Sequence, residues 1–133
     1  MYLSTLFLIL LTLIIMPFTS HAAKERAYTL IKKDGPIQIR NYHRVSTATV
    51  ELLGSRTDTA TQSFRILVDY IKGNNELNLV IPMTSPVSQQ KTSQGAWVTT
   101  FYMPAHMTLP TLPESKDPRI RFQDIQKALF ATI

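Results

Sequence analysis

One segment of the chain repeats its apolar residues at helical spacing, and this fixes the class of fold open to it. In "RTDTATQSFRILVDYIKGNN" (residues 56–75) Ala60, Phe64, Leu67, Val68 and Ile71 fall on one face of an α-helix. Thr57 or Asp58 is placed to cap its start, and Gly73 with Asn74 and Asn75 marks its stop. Around it the pattern is that of strands. "YTLIKKDGPIQIRNY" (28–42) reads as two strands about an Asp34-Gly35-Pro36 turn, and "VSTATVEL" (45–52) is rich in β-branched residues. "AWVTTFYMP" (96–104) alternates and stops at Pro104, and "RIRFQDIQKALFATI" (119–133) returns to strand-like content. "SQQKTSQG" (88–95) reads as a hairpin-like loop. "AHMTLPTLPESKDP" (105–118), with Pro110, Pro113 and Pro118, reads as an extended one. The order β-β-β-α-β-β-loop-β predicts an α+β domain, a mostly antiparallel sheet with one long helix against it.

"VIPMTSPV" (80–87) is the exception to a simple reading. Its β-branched residues suit a strand, yet Pro82 and Pro86 remove two backbone donors, which places it at a sheet edge or a bend.

At 133 residues, 44% hydrophobic and 17% charged, the chain suits one small globular domain. Fourteen Lys and Arg against nine Asp and Glu give +5, a balance that favours anionic partners such as carboxylates, phosphates or lipid headgroups. The basic residues are scattered, with no stripe interleaved with aromatics, which argues against a nucleic-acid partner. Leu6 to Phe18 is an apolar run followed by small residues at Ser20 and Ala22. It predicts a signal peptide over residues 1–22, cleaved after Ala22, and export to the periplasm or beyond. The alternative is a retained anchor, since "MYLST" before the run lacks Lys and Arg; only then is a membrane partner expected.

Catalytic signals are missing from the sequence. Cysteine is absent, so there is no thiolate nucleophile and no disulfide. There is no Gly-x-Ser-x-Gly elbow, no His/Glu metal cluster and no Gly-rich phosphate loop, and the acidic residues sit mostly at turns or polar faces. These absences lead to the expectation that the chain is not an enzyme.

Several pieces in order resemble the SOUL heme-binding family: "YTLIKKDGPIQIRNY", "F..L..YIKGNN", "IPMTSPV", "FYMP" and "LPTLPESKDPRIRF". "YIKGNN…IPMTSPV" is the most specific part, and the matched pieces run from Tyr28 to the C-terminus. The resemblance implies a domain over 23–133 built on a distorted antiparallel barrel of two similar β-β-α-β-β halves. The residues given match the first half and the opening strand of the second. The expectation is therefore a partial barrel, incomplete at the C-terminus, which two copies would complete for one another as a homodimer or which is a truncated remnant. "VIPMTSPV" would then bend over the barrel end beside the ligand groove, with Met83 facing in.

The resemblance also implies heme or a related tetrapyrrole as ligand. His43 stands where a histidine in some members is the proposed iron ligand; a solvent-exposed strand-end histidine is the alternative. Arg40 and Arg44 flank it and could pair with a propionate. Phe64 and Val68 could border the groove while also serving as core. Arg65 and Lys72 are the helix cations that could meet propionates, or else solvated surface charges. His106, in the Pro-rich loop, ranks below His43, and Met83 and Met103 read as core. Two other functions stay open: a structural or interaction domain working through an open sheet edge, and a binder of other hydrophobic small molecules.

Overall fold

The computed structural model describes residues 24–25 and 27–132. The leader expected over residues 1–22 lies outside them. The elements are β1 (Lys24–Glu25), β2 (Tyr28–Asp34), β3 (Ile37–Tyr42), β4 (Val45–Leu52), α1 (Arg56–Ile71), β5 (Thr84–Ser85), β6 (Val87–Lys91), β7 (Trp97–Tyr102), a 3-10 turn (Leu109–Thr111), β8 (Ile120–Ile125) and β9 (Ala128–Thr132). A four-stranded antiparallel sheet runs β6-β7-β4-β8, a three-stranded one runs β2-β3-β9, and β1 pairs with β5 in parallel. The α+β class stands as expected, with α1 on β4 and β7. Among the described residues the sheets do not close into a barrel.

The two larger sheets share one pair of long strands. Val45 opposes Ile125 and Tyr42 opposes Ala128, so the register carries unchanged across the gap. What interrupts the ladder is a bend at His43-Arg44 on one strand and Gln126-Lys127 on the other. β8 and β9 lie on one side of this double strand, and β2 and β7 flank the other.

The core lies between α1 and the inner face of the four-stranded sheet. Ala48 and Val50 of β4, Phe101 of β7 and Ile120 of β8 meet Ile66, Leu67, Tyr70 and Ile71 of the helix. The buried stripe of α1 is Thr59, Ser63, Ile66, Leu67, Tyr70 and Ile71, rotated from the face built on Ala60, Phe64 and Val68. Small residues explain the rotation. Thr59 returns its hydroxyl to the Ser55 carbonyl at 2.8 Å, so a polar residue can lie in the interface with its donor satisfied. Phe64 is left 41% exposed.

The helix is capped at Ser55, two or three residues earlier than the expected Thr57 or Asp58. Ser55 Oγ accepts from the Asp58 backbone N–H at 3.2 Å, a side-chain N-cap, and donates to the Asp58 carboxylate at 2.7 Å. At the other end Gly73 adopts φ +114, a left-handed value that stops the helix. Asn75 is wholly buried behind it.

Two loop expectations change. "SQQKTSQG" is not all loop: residues up to Lys91 belong to β6, and only Thr92 to Gly95 turn into β7. Its polarity is that of an outer strand, whose backbone is satisfied by β7. In the Pro-rich segment a single 3-10 turn forms at Leu109–Thr111. In "VIPMTSPV" Thr84–Ser85 pairs with β1, the Ser85–Pro86 peptide is cis, and β6 starts at Val87 as the outer strand of its sheet. Met83 packs against the core.

Candidate functional site

The bend in the long strand pair opens a cavity. The His43 N–H donates to the Ala27 carbonyl at 3.3 Å, and the Met103 N–H donates to the Ser46 carbonyl at 2.8 Å. These bonds hold the start of β2 and the end of β7 on either side of the bend, with a space between them. The space measures about 600 Å³ and is lined by His43 and Arg44 from the bend, Pro82 and Thr84 from "VIPMTSPV", and Met103 and His106 from the chain after β7. Its size lies within the range of small-molecule sites, about 300–1,000 Å³.

His43 is exposed, and its Nε2 lies 2.9 Å from the Thr29 hydroxyl. Arg44 donates from Nε to Asp124 Oδ2 at 3.0 Å, and a second guanidinium nitrogen reaches the same oxygen. Ser46 Oγ donates to the other oxygen of Asp124 at 2.7 Å. The Ser46 hydroxyl and then the Arg44 guanidinium hold the Asp124 carboxyl below the usual carboxylate range. The Arg44 side chain is still 63% exposed, so its charge can reach a ligand.

The other expected site residues lie elsewhere. Arg40 sits over the Tyr28 ring, 4.1 Å from its centroid, and donates to Gln38 at 2.9 Å and to the Tyr42 hydroxyl at 3.1 Å. Phe64 packs edge-on against Phe101 with centroids 5.4 Å apart, and Val68 is half-buried against the core. Arg65 and Lys72 are exposed on α1. None of these five lines the cavity at the bend. Sequence reasoning undervalued His106, which the end of β7 brings to the same space as His43. The usable signal was Pro104, which ends β7 and turns the chain there.

A larger hollow of about 900 Å³ lies on the sheet face away from α1. It mixes Glu51 with Arg119 and Arg121 and has no histidine in its lining. Among the described residues no three His, Asp or Glu side chains gather to hold a metal ion.

The family model of the SOUL heme-binding proteins matches residues 23–133. The chain belongs to that family. No curated protein matches it. In this SOUL-family chain the cavity at the bend combines two imidazoles and a guanidinium with the apolar walls of Val45, Pro82 and Met103. That donor set fits a ligand with an apolar body, acidic edges and an iron centre.

Proposed function

We propose that the protein binds heme or a related tetrapyrrole in the cavity at the bend and is not an enzyme. The observation that carries this reading is the meeting of His43, His106 and Arg44 around one apolar-walled space in a member of a heme-binding family. His43 is the candidate iron ligand, and Arg44 the candidate partner of a carboxylate edge. Heme, when bound, supplies an iron centre whose properties its axial ligand and surroundings tune. Arg40, Phe64, Arg65, Val68 and Lys72 lie outside this cavity, so the proposal assigns them no contact with the ligand.

Titrating the purified protein with hemin and recording the Soret band tests the reading. Saturation at one hemin per chain or per dimer supports it. A featureless linear rise, as for free hemin, overturns it. The reading includes export directed by the apolar run Leu6 to Phe18, with cleavage after Ala22. The mass of the mature chain from an exporting host checks that part.

A second reading, association of two copies, rests on the outer edge of β8 and β9. Among the described residues no strand pairs with it, and an unpaired edge is a template for another chain. Sedimentation over a range of concentrations distinguishes monomer from dimer.

A further inference from the structure

The strands β4 and β7 part around the cavity in a way that sets its two histidines against one another. Thr47 opposes Tyr102 in their antiparallel ladder. The Met103 N–H donates to the Ser46 carbonyl at 2.8 Å, which carries the same register one step further. Continued along both chains, that register sets Val45 against Pro104, Arg44 against Ala105 and His43 against His106. All six of these residues line the cavity. Pro104 has no N–H to give, and beyond it the two arms separate around the space instead of pairing. Directly opposed residues of an antiparallel pair share a face, so the register puts the two histidines on the same side of the parted strands. Both arms are anchored. Met103 and Met107 are buried, and the Met107 N–H donates to the Pro104 carbonyl at 2.9 Å, so His106 sits on a short arch between two core residues. On the other arm the Ala27 carbonyl holds the His43 N–H, and the His43 Nε2 lies 2.9 Å from the Thr29 hydroxyl.

We propose that His43 and His106 clamp one heme iron between them, one from each arm, and leave it no open coordination position. The inference rests on the tetrapyrrole reading of the cavity and gives His106 a role in it. The count of donors favours this use of the pair. Among the described residues no three His, Asp or Glu side chains gather, so a bare metal ion would find too few ligands here. A tetrapyrrole already surrounds its iron with nitrogens in one plane and lacks only the ligands above and below it. Two imidazoles on facing arms supply those and nothing more. A single histidine would leave one face of the iron to a small molecule such as oxygen or carbon monoxide. A pair closes both faces, which suits holding or carrying the ligand rather than sensing a gas.

The spin state of ferric iron reads the clamp directly. The full chain saturated with hemin should give the low-spin electron paramagnetic resonance signal and visible bands of six-coordinate iron. His106→Ala should turn the signal high-spin, and imidazole added to the solution should restore it. Carbon monoxide should bind the reduced wild-type complex slowly and the variant complex rapidly. His106 is exposed on its arch, so the variant should melt with the wild type before hemin is added. Any of three results overturns the clamp alone. A wild type that saturates with high-spin iron shows that His106 does not ligate, and leaves the tetrapyrrole reading standing. A low-spin signal that survives His106→Ala assigns the second position to another group, the Met103 thioether if Met103→Leu then abolishes it. A variant whose low-spin signal imidazole cannot restore shows that His106 shapes the arch instead. A chain that never saturates with hemin overturns the clamp and the tetrapyrrole reading together.

Discussion

Arg44 and Asp124 are joined across the long strand pair beside its bend, with Nε 3.0 Å from Oδ2. Ser46, two residues after Arg44 and within β4, donates to the second oxygen of Asp124 at 2.7 Å. One carboxylate thus ties a cavity-lining arginine to the strand that follows the cavity. The bend that opens the site and the contact that steadies it are neighbours in the chain.

This contact makes stability depend on acid. Asp124 titrates below its ordinary value in the folded chain, chiefly through Ser46 and then Arg44. A carboxyl lowered in this way contributes its stability above the unfolded value of about 3.9, and loses it as pH falls through the lower folded value. Asp117 behaves alike, held down first by its hydrogen bond from Arg119. Thermal melts of the wild type should therefore fall in this acid window. Asp124→Asn should flatten part of that fall, and adding Asp117→Asn should flatten more.

The proposed site predicts an unequal response to two substitutions. His43→Ala should move the Soret maximum of the hemin complex, because the iron loses its proposed nitrogen ligand. Arg44→Ala should leave the maximum in place and weaken binding. A hydrogen bond to a charged group contributes about 1.5–3 kcal/mol when shielded, and less for an exposed side chain. Arg44 is exposed, so a loss of roughly ten-fold is expected. Parallel hemin titrations of the two variants check both.

The strand-and-helix order was legible because period-2 and helical patterns are strong where one face is buried. Trp97 to Tyr102 was legible from its alternation, and Val45 to Leu52 from its β-branched residues, which suit a central strand buried over Val45 to Val50. The rotation of α1 was not legible, since its buried stripe includes Thr59 and Ser63, which an apolar count ignores. The polar β6 was hidden for a similar reason: its partner is backbone, and backbone bonding leaves little mark on composition. The site was legible only at His43 and Arg44. Both sit in the link between β3 and β4, whose place the strand pattern fixes. His106 depends on how the chain leaves β7 after Pro104, and no local periodicity encodes that. The groove residues expected on α1 followed from resemblance alone and do not meet the cavity.

The rotated helix face gives a clean contrast. Leu67 is fully buried in the core, so Leu67→Ala should cost about 2–5 kcal/mol. Phe64 is 41% exposed, and its ring meets Phe101 edge-on. An aromatic pair contributes about 0.5–1.5 kcal/mol beyond burial, so Phe64→Ala should cost markedly less than Leu67→Ala. Urea unfolding of the two variants ranks them. Equal losses would restore the face centred on Phe64.

Asn75 closes the end of α1. Its Nδ2 donates to the carbonyls of Tyr70 at 3.0 Å and Leu79 at 2.8 Å, and its Oδ1 accepts from the Leu79 N–H at 3.0 Å. Asn75→Ala removes all three bonds. The Tyr70 carbonyl keeps the Gly73 N–H, and Leu79 is partly open to water, which softens the loss. A destabilisation of about 2–3 kcal/mol is expected. Asn75→Asp should do no better, because it loses both donations and buries a charge. Denaturant midpoints measure the difference.

Tyr70 supplies the alkaline counterpart to Asp124. Its ring is buried in the core, its hydroxyl donates to the Pro113 carbonyl at 2.9 Å, and burial pushes its pKa up to about 12. The unfolded phenol ionises near 10, so the stability it contributes is complete below about pH 10 and is lost as pH rises toward 12. Tyr70→Phe keeps the ring and removes the donor. At neutral pH it should cost about 1–2 kcal/mol, from the missing bond and the orphaned carbonyl. Above about pH 10 the wild type alone loses this contribution, so the two stability curves should converge. Denaturant unfolding at a series of alkaline pH values measures the gap. A gap that stays constant toward pH 12 would show that the phenol ionises equally in both states, and so that Tyr70 does not anchor the Pro-rich segment from inside the core.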